Sequence, residues 1–114
     1  MLLSKGTLAA ALQFRRERDW EKFHTPLNLA IAISVESGEL LEQFQWMLPG
    51  EHRPSVEQQT AIEHEMADIV ILLSYLASDL GVDLDKAVQG KLTLNATRYP
   101  VESARGSAKK YDHL

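Results

Sequence analysis

Cysteine is absent from the 114 residues, so disulfides and thiolate metal ligands are both excluded. Any metal site must be built from oxygen donors or histidine, a set that suits hard cations. No apolar run reaches the roughly 18–20 residues needed to cross a bilayer, and residues 1–4 lack the basic-then-apolar layout of a signal peptide. A cytoplasmic protein with no membrane partner is expected. A long block of Lys and Arg is missing too, and the formal net charge is -4. That argues against nucleic acid as a partner, because affinity for backbone phosphates needs clustered cations. A small phosphorylated ligand remains compatible with the charge, since a bound cation can supply what the protein lacks. Strand-like alternation, internal repeats and low-complexity segments are also absent. What is present, 45% hydrophobic and 25% charged residues, fits one small domain with a modest core.

Apolar residues recur at helical spacing in four stretches. Leu8, Ala11, Leu12 and, less regularly, Phe14 predict a helix over about 7–18 with Thr7 as its N-cap. Residues 19–24 mix two aromatics with charge and read as a loop. Thr25-Pro26 opens a second helix, with proline where its missing N–H costs nothing. That helix is apolar nearly all round from Leu29 to Val35 and is expected to reach about Leu48 before Pro49-Gly50. After a polar loop at 50–54, Ser55 with Gln58 has the form of a capping box. It predicts a third helix to about Leu80, whose apolar positions are Ile62, Met66, Ile69, Val70, Leu73, Leu76 and Leu80, with Gly81 as a left-handed stop. Asp83 caps a fourth helix ending at Tyr99-Pro100. The expected architecture is therefore all-α, a four-helix bundle over residues 1–100 followed by a mostly irregular tail at 101–114. Two central helices this apolar exceed what one small bundle covers, which predicts a homodimer or homotetramer.

Acidic residues interrupt those two helices. Glu36 and Glu39 lie three apart on the second, and Glu65 and Asp68 repeat the spacing on the third, so each pair shares a helix face. Carboxylates about 5 Å apart repel by roughly 3 kcal/mol per pair at an effective dielectric near 20, so the cluster requires a cation or raised pKa values. Oxygen-only ligation suits magnesium, manganese or calcium, and magnesium commonly joins a few carboxylates to substrate phosphates. The competing di-iron bundle needs an E-x-x-H motif on each of two helices. Here only Glu21 and His24 have that spacing, in the loop before Pro26.

Five segments carry a wider likeness: Phe14-Arg15-Arg16-Glu17-Arg18-Asp19-Trp20-Glu21-Lys22-Phe23-His24, Glu36-Ser37-Gly38-Glu39-Leu40-Leu41-Glu42, Phe44-Gln45-Trp46, Glu65-Met66-Ala67-Asp68 and Asn95-Ala96-Thr97-Arg98-Tyr99-Pro100. Over nearly the whole chain the sequence resembles the MazG-like all-α nucleotide pyrophosphohydrolases, in particular the dCTP pyrophosphatase branch. The resemblance implies that Glu36, Glu39, Glu65 and Asp68 ligate Mg2+ on a nucleoside triphosphate, and that water attack releases pyrophosphate. It also implies that Trp20, His24 and Trp46 line the nucleoside pocket, while Lys91, Asn95, Arg98 and Tyr99 approach phosphates or sugar. His64 and Leu72 depart from the family pattern, where another acid and a Tyr are usual, which leaves base preference open.

Hydrolysis of a phosphoanhydride needs charge neutralisation, a positioned water and a stabilised leaving group. Mg2+, or Mn2+ in its place, fits the acids. Glu39 and Glu42 are both candidates to orient or deprotonate the water. Trp20 and Trp46 are amphipathic plates able to stack on a base. A non-catalytic helical module that binds a nucleotide or a protein through the same pocket is the alternative.

Overall fold

The computed structural model describes residues 2–51 and 53–114. Met1 and His52, the latter in the expected 50–54 loop, lie outside the described residues. All four expected helices form, no strand occurs among the described residues, and no helix there is long and apolar enough to cross a membrane. The described residues group into two compact units, Leu2–Val82 and Asp83–Leu114.

In the first unit, α1 spans Lys5–Glu17. Its cap is Ser4 and not Thr7: the Ser4 carbonyl accepts from Leu8 N–H, and its hydroxyl oxygen accepts from Thr7 N–H at 3.2 Å. The earlier start follows because the extended backbone of Ser4 already supplies the turn's first acceptors. The face formed by Leu8, Ala11, Leu12 and Arg15 turns inward, and Arg15 is the most buried of the four.

Helix α2 runs Pro26–Glu42, with the Thr25 hydroxyl accepting from Asn28 N–H. It stops six residues short of the expected Leu48. Beyond Glu42 the N–H groups of Gln43, Phe44 and Gln45 bond carbonyls three residues back, so the chain tightens into turns. Trp46 and Leu48 are 83% and 66% exposed. An apolar pattern that packs against nothing does little to hold further helical turns.

Helix α3, Val56–Leu80, begins with both halves of the capping box, Ser55 Oγ accepting from Gln58 N–H and Gln58 Oε1 accepting from Ser55 N–H. It ends at Gly81 with φ of 68°, where Val82 N–H reaches Ala77 O and Gly81 N–H reaches Ser78 O, the Schellman closure that favours glycine. Helix α3 packs along α2 and also meets α1. The core of this unit centres on Leu29, Ile62, Tyr75 and Ala77, while Met66 and Leu80, expected on the apolar side of α3, are more than half exposed.

The second unit holds α4, Leu84–Arg98, capped by the Asp83 carboxylate on Lys86 N–H. The tail is more ordered than expected, with a single helical turn, α5, at Val101–Ala104 and a 3-10 turn at Tyr111–His113. Tyr111 packs edge-on against Tyr99 and beneath the Arg98 guanidinium, which explains the order.

Candidate metal centre and adjoining cavity

On α2 the inward face is Leu29, Ile33, Glu36 and Leu40; on α3 it is Ile62, Glu65, Ile69 and Leu73. Each set follows the three- and four-residue steps of one helix side. Packing α2 on α3 therefore forces Glu36 against Glu65. One carboxylate oxygen from each of Glu36, Glu65 and Asp68 lies within 4.8 Å of the others. Glu36 and Glu65 are half-buried and Asp68 is exposed. Glu39 stands beside Glu36 without joining that three-way convergence. Glu42 is exposed on the last residue of α2.

The electrostatics of this cluster are those of a site short of positive charge. Glu65 lies close enough to Glu36 to share a proton, and this, followed by burial and then by the hydrogen bond and charge of Glu39, pushes the Glu36 carboxyl up to about 7. Apart from proton sharing among the carboxyls themselves, the buried Glu36 Oε2 and Glu65 Oε2 have no hydrogen-bond partner among the described residues. Among the described residues no Lys, Arg or His forms an ion pair with Glu36, Glu39, Glu65 or Asp68. Converging oxygen donors, two of them buried, with no Lys, Arg or His ion-paired to them among the described residues, match the requirements of a hard divalent ion.

A cavity of about 610 Å³ opens beside the acids, and Glu36 and Asp68 form part of its wall. From α1 it receives Thr7, Ala10, Ala11 and Phe14, one helix face at steps of three, four and seven. From α3 come Ala67, Ile71, Leu72 and Tyr75, and from the α1–α2 connection Trp20 and His24. The departure at Leu72 thus lies in the cavity wall. Trp20 is placed there by a second Schellman closure: Asp19 takes the left-handed conformation (φ 55°), Asp19 N–H bonds Arg16 O and Trp20 N–H bonds Arg15 O. An Asp in that conformation is strained less than most non-glycine residues, and its carboxylate pairs with Lys22 at 2.9 Å. The Trp20 ring meets Phe14 edge-on at 5.7 Å and His24 at 6.5 Å.

His24 stacks on Tyr75 with ring centroids 5.5 Å apart, and its Nδ1 is buried without a partner. Burial, reinforced by the charge of Arg15 and opposed by Asp79, lowers its pKa, so the imidazole is neutral at pH 7. Trp46 does not reach this cavity; it is 83% exposed. Lys91, Asn95, Arg98 and Tyr99 belong to the second unit. There Lys91 is exposed, Asn95 and Tyr99 are half-buried, and Arg98 lies 4.6 Å from the Tyr111 ring centre.

Phe14 and Tyr75 line the cavity although no sequence motif marks them as site residues. A signal for Tyr75 existed, since Asp68, Leu72 and Tyr75 follow one α3 face at steps of four and three.

A family model described as MazG-like matches residues 31–114. The chain is 45% identical over 105 residues to dCTP pyrophosphatase 1 of Homo sapiens and 47% identical to that of Bos taurus, in each case covering 90% of this chain. It spans 62% of the length of these relatives. A pyrophosphatase from Archaeoglobus fulgidus DSM 4304 has a similar crystal structure, with a TM-score of 0.72 and 37% identity over 84% of this chain and 91% of that one.

Proposed function

This chain belongs to the MazG-like family, and on that premise we propose that it hydrolyses a nucleoside triphosphate, dCTP-like in its base, to the monophosphate and pyrophosphate. The observation that carries the proposal is the continuity of the acidic cluster with the aromatic-lined cavity, because Glu36 and Asp68 belong to both. A nucleotide needs such a pairing, an apolar slot for the base and a cation seat for the phosphates.

Glu36, Glu65 and Asp68, joined by Glu39 beside Glu36, would hold Mg2+ or Mn2+. The bound ion would neutralise phosphate charge and stabilise the pyrophosphate leaving group. The chain's own residues supply the rest. Glu39 or Glu42 orients a water toward the α-phosphorus and accepts its proton, the water oxygen forms the new P–O bond, and the α–β bridging bond breaks. Trp20 offers an aromatic face and His24 a neutral imidazole to the base. Trp46, Lys91, Asn95, Arg98 and Tyr99 remain proposed substrate contacts on the strength of family membership.

Leu27, Ile31 and Val35 form an exposed stripe on α2 at successive four-residue steps, which supports a homodimer or homotetramer.

The test is a panel of dNTPs with Mg2+ and identification of both products. Equimolar dNMP and pyrophosphate, lost in Glu39→Gln and Asp68→Asn, are expected. Orthophosphate with dNDP would refute the reaction, and saturable nucleotide binding without turnover would favour the non-catalytic module.

A further inference from the structure

Behind the cavity wall lies a polar group that the acid chemistry does not use. Arg15 is 4% exposed, although it lies on a helix whose other inward residues are apolar. Its Nη1 and Nη2 donate to the two oxygens of Asp79 at 2.9 and 2.8 Å, joining α1 to α3 across 64 residues of sequence. The guanidinium carbon lies 4.5 Å from the centre of the Tyr75 ring. Tyr75 is 3% exposed, and its hydroxyl donates to Ala11 O at 2.8 Å. Its ring therefore has two fixed contacts besides packing, and it is this ring on which His24 stacks at 5.5 Å and 29°. Neither Arg15 nor Asp79 lines the cavity, whereas Tyr75 and His24 do.

We propose that Tyr75, held by the Arg15–Asp79 pair, is a positioning residue that fixes the His24 ring in the cavity wall and so sets the protein's affinity for the base. The inference rests on the nucleotide-pocket reading given above. Among the described residues none hydrogen-bonds the His24 side chain, and its buried Nδ1 is unpartnered. The orientation of its ring must then come from contact with Tyr75 and Trp20. Trp20 is 42% exposed and meets the imidazole only by an edge, so Tyr75 is the firmer support. Arginine suits the supporting role better than lysine, because its planar fork grips both carboxylate oxygens while its flat face lies against the ring. A recognition group kept within a fraction of an ångström by a rigid second layer binds with less loss of side-chain freedom.

The experiment uses the full chain with Mg2+ and compares Tyr75→Leu, Tyr75→Phe and Arg15→Lys. Four quantities are measured for each: affinity for dCMP by calorimetric titration, kcat and KM for dCTP, and inhibition by magnesium pyrophosphate. Thermal unfolding establishes which variants are folded. Tyr75→Leu and Arg15→Lys should weaken dCMP binding and raise KM by about tenfold, the size of one aromatic contact, with kcat and pyrophosphate inhibition within about twofold of the unaltered protein. Tyr75→Phe keeps the stack and should restore dCMP affinity to within about threefold. Arg15→Lys carries the same test should Tyr75→Leu fail to fold. Unchanged dCMP affinity in a folded Tyr75→Leu, or an equal fall in kcat and pyrophosphate binding, would overturn the inference. An unaltered protein that binds dCMP without turning over dCTP refutes the proposed reaction and leaves the titration series to decide positioning. One that turns over dCTP but binds no dCMP keeps the reaction and overturns the positioning inference.

Discussion

Replacing Glu65 by Gln removes one negative charge from three carboxylates whose oxygens lie within 4.8 Å of one another, with almost no change in volume. At that separation each ionised pair repels by about 3–4 kcal/mol at an effective dielectric near 20, and Glu65 belongs to two pairs. Asp68 is exposed, so water screens its pair to a fraction of that value. Glu36, pushed up to about 7 chiefly by Glu65 itself and then by burial, is close to half-protonated at neutral pH. The net relief is then about 1–3 kcal/mol, or about 4–12 °C in Tm for a chain of this length. The variant should therefore melt above the unaltered protein in EDTA. Addition of MgCl2 should raise Tm of the unaltered protein, leave the variant nearly unmoved, and support dCTP hydrolysis in the former alone. The direction of the pH effect follows from the raised pKa. The folded chain keeps the Glu36 proton above its ordinary 4.5, so metal-free stability falls as pH rises from there through about 7, and the variant's advantage grows over the same window. Thermal unfolding with and without MgCl2, at both ends of that window, measures each part. A variant that melts lower in EDTA, or shows the full MgCl2 shift, would refute the assignment of these acids as a cation seat.

The Arg15–Asp79 pair makes a prediction of opposite sign. Its hydrogen bonds hold the Asp79 carboxyl below its ordinary 3.8, so the pair's stabilisation is present above that pH and is lost as pH falls through the lower folded value. Asp79→Asn should cost about 2–3 kcal/mol in urea unfolding at pH 7, discounted because Asp79 is one-third exposed, and the gap should narrow as pH falls below 3.8; a gap that stays constant into acid would contradict this. Leu29→Ala, at a position with 0% exposure, should lose about 2–4 kcal/mol in the same assay, and a loss below about 1 kcal/mol would show that the α2–α3 contact is not the centre of the core.

Local chemistry was legible where neighbours in sequence carry it. The capping box at Ser55 and Gln58, the Thr25-Pro26 start and the Gly81 stop all involve residues within five positions of each other, and each forms as its pattern requires. The end of α2 was not legible, because Phe44, Trp46 and Leu48 continue the apolar character of a helix and only the lack of a packing surface ends it. Arg15 was not legible as an inward residue either. Nothing near it in sequence identifies Asp79 or Tyr75, 64 and 60 residues away, as the partners that make its burial tolerable.

By itself the sequence determined that the protein is all-helical, that two acid pairs lie on single helix faces, and that oxygen donors must form any metal site. Helical periodicity fixes which residues share a side, and the absence of cysteine removes the thiolate alternatives. Only the tertiary structure decided that Glu36, Glu65 and Asp68 converge while Glu39 stands to one side, that the cavity adjoins them, and that His24 is backed by Tyr75. Those outcomes depend on how α1 and α2 are rotated and set against α3. Periodicity within one helix carries no information about the register of its packing on another.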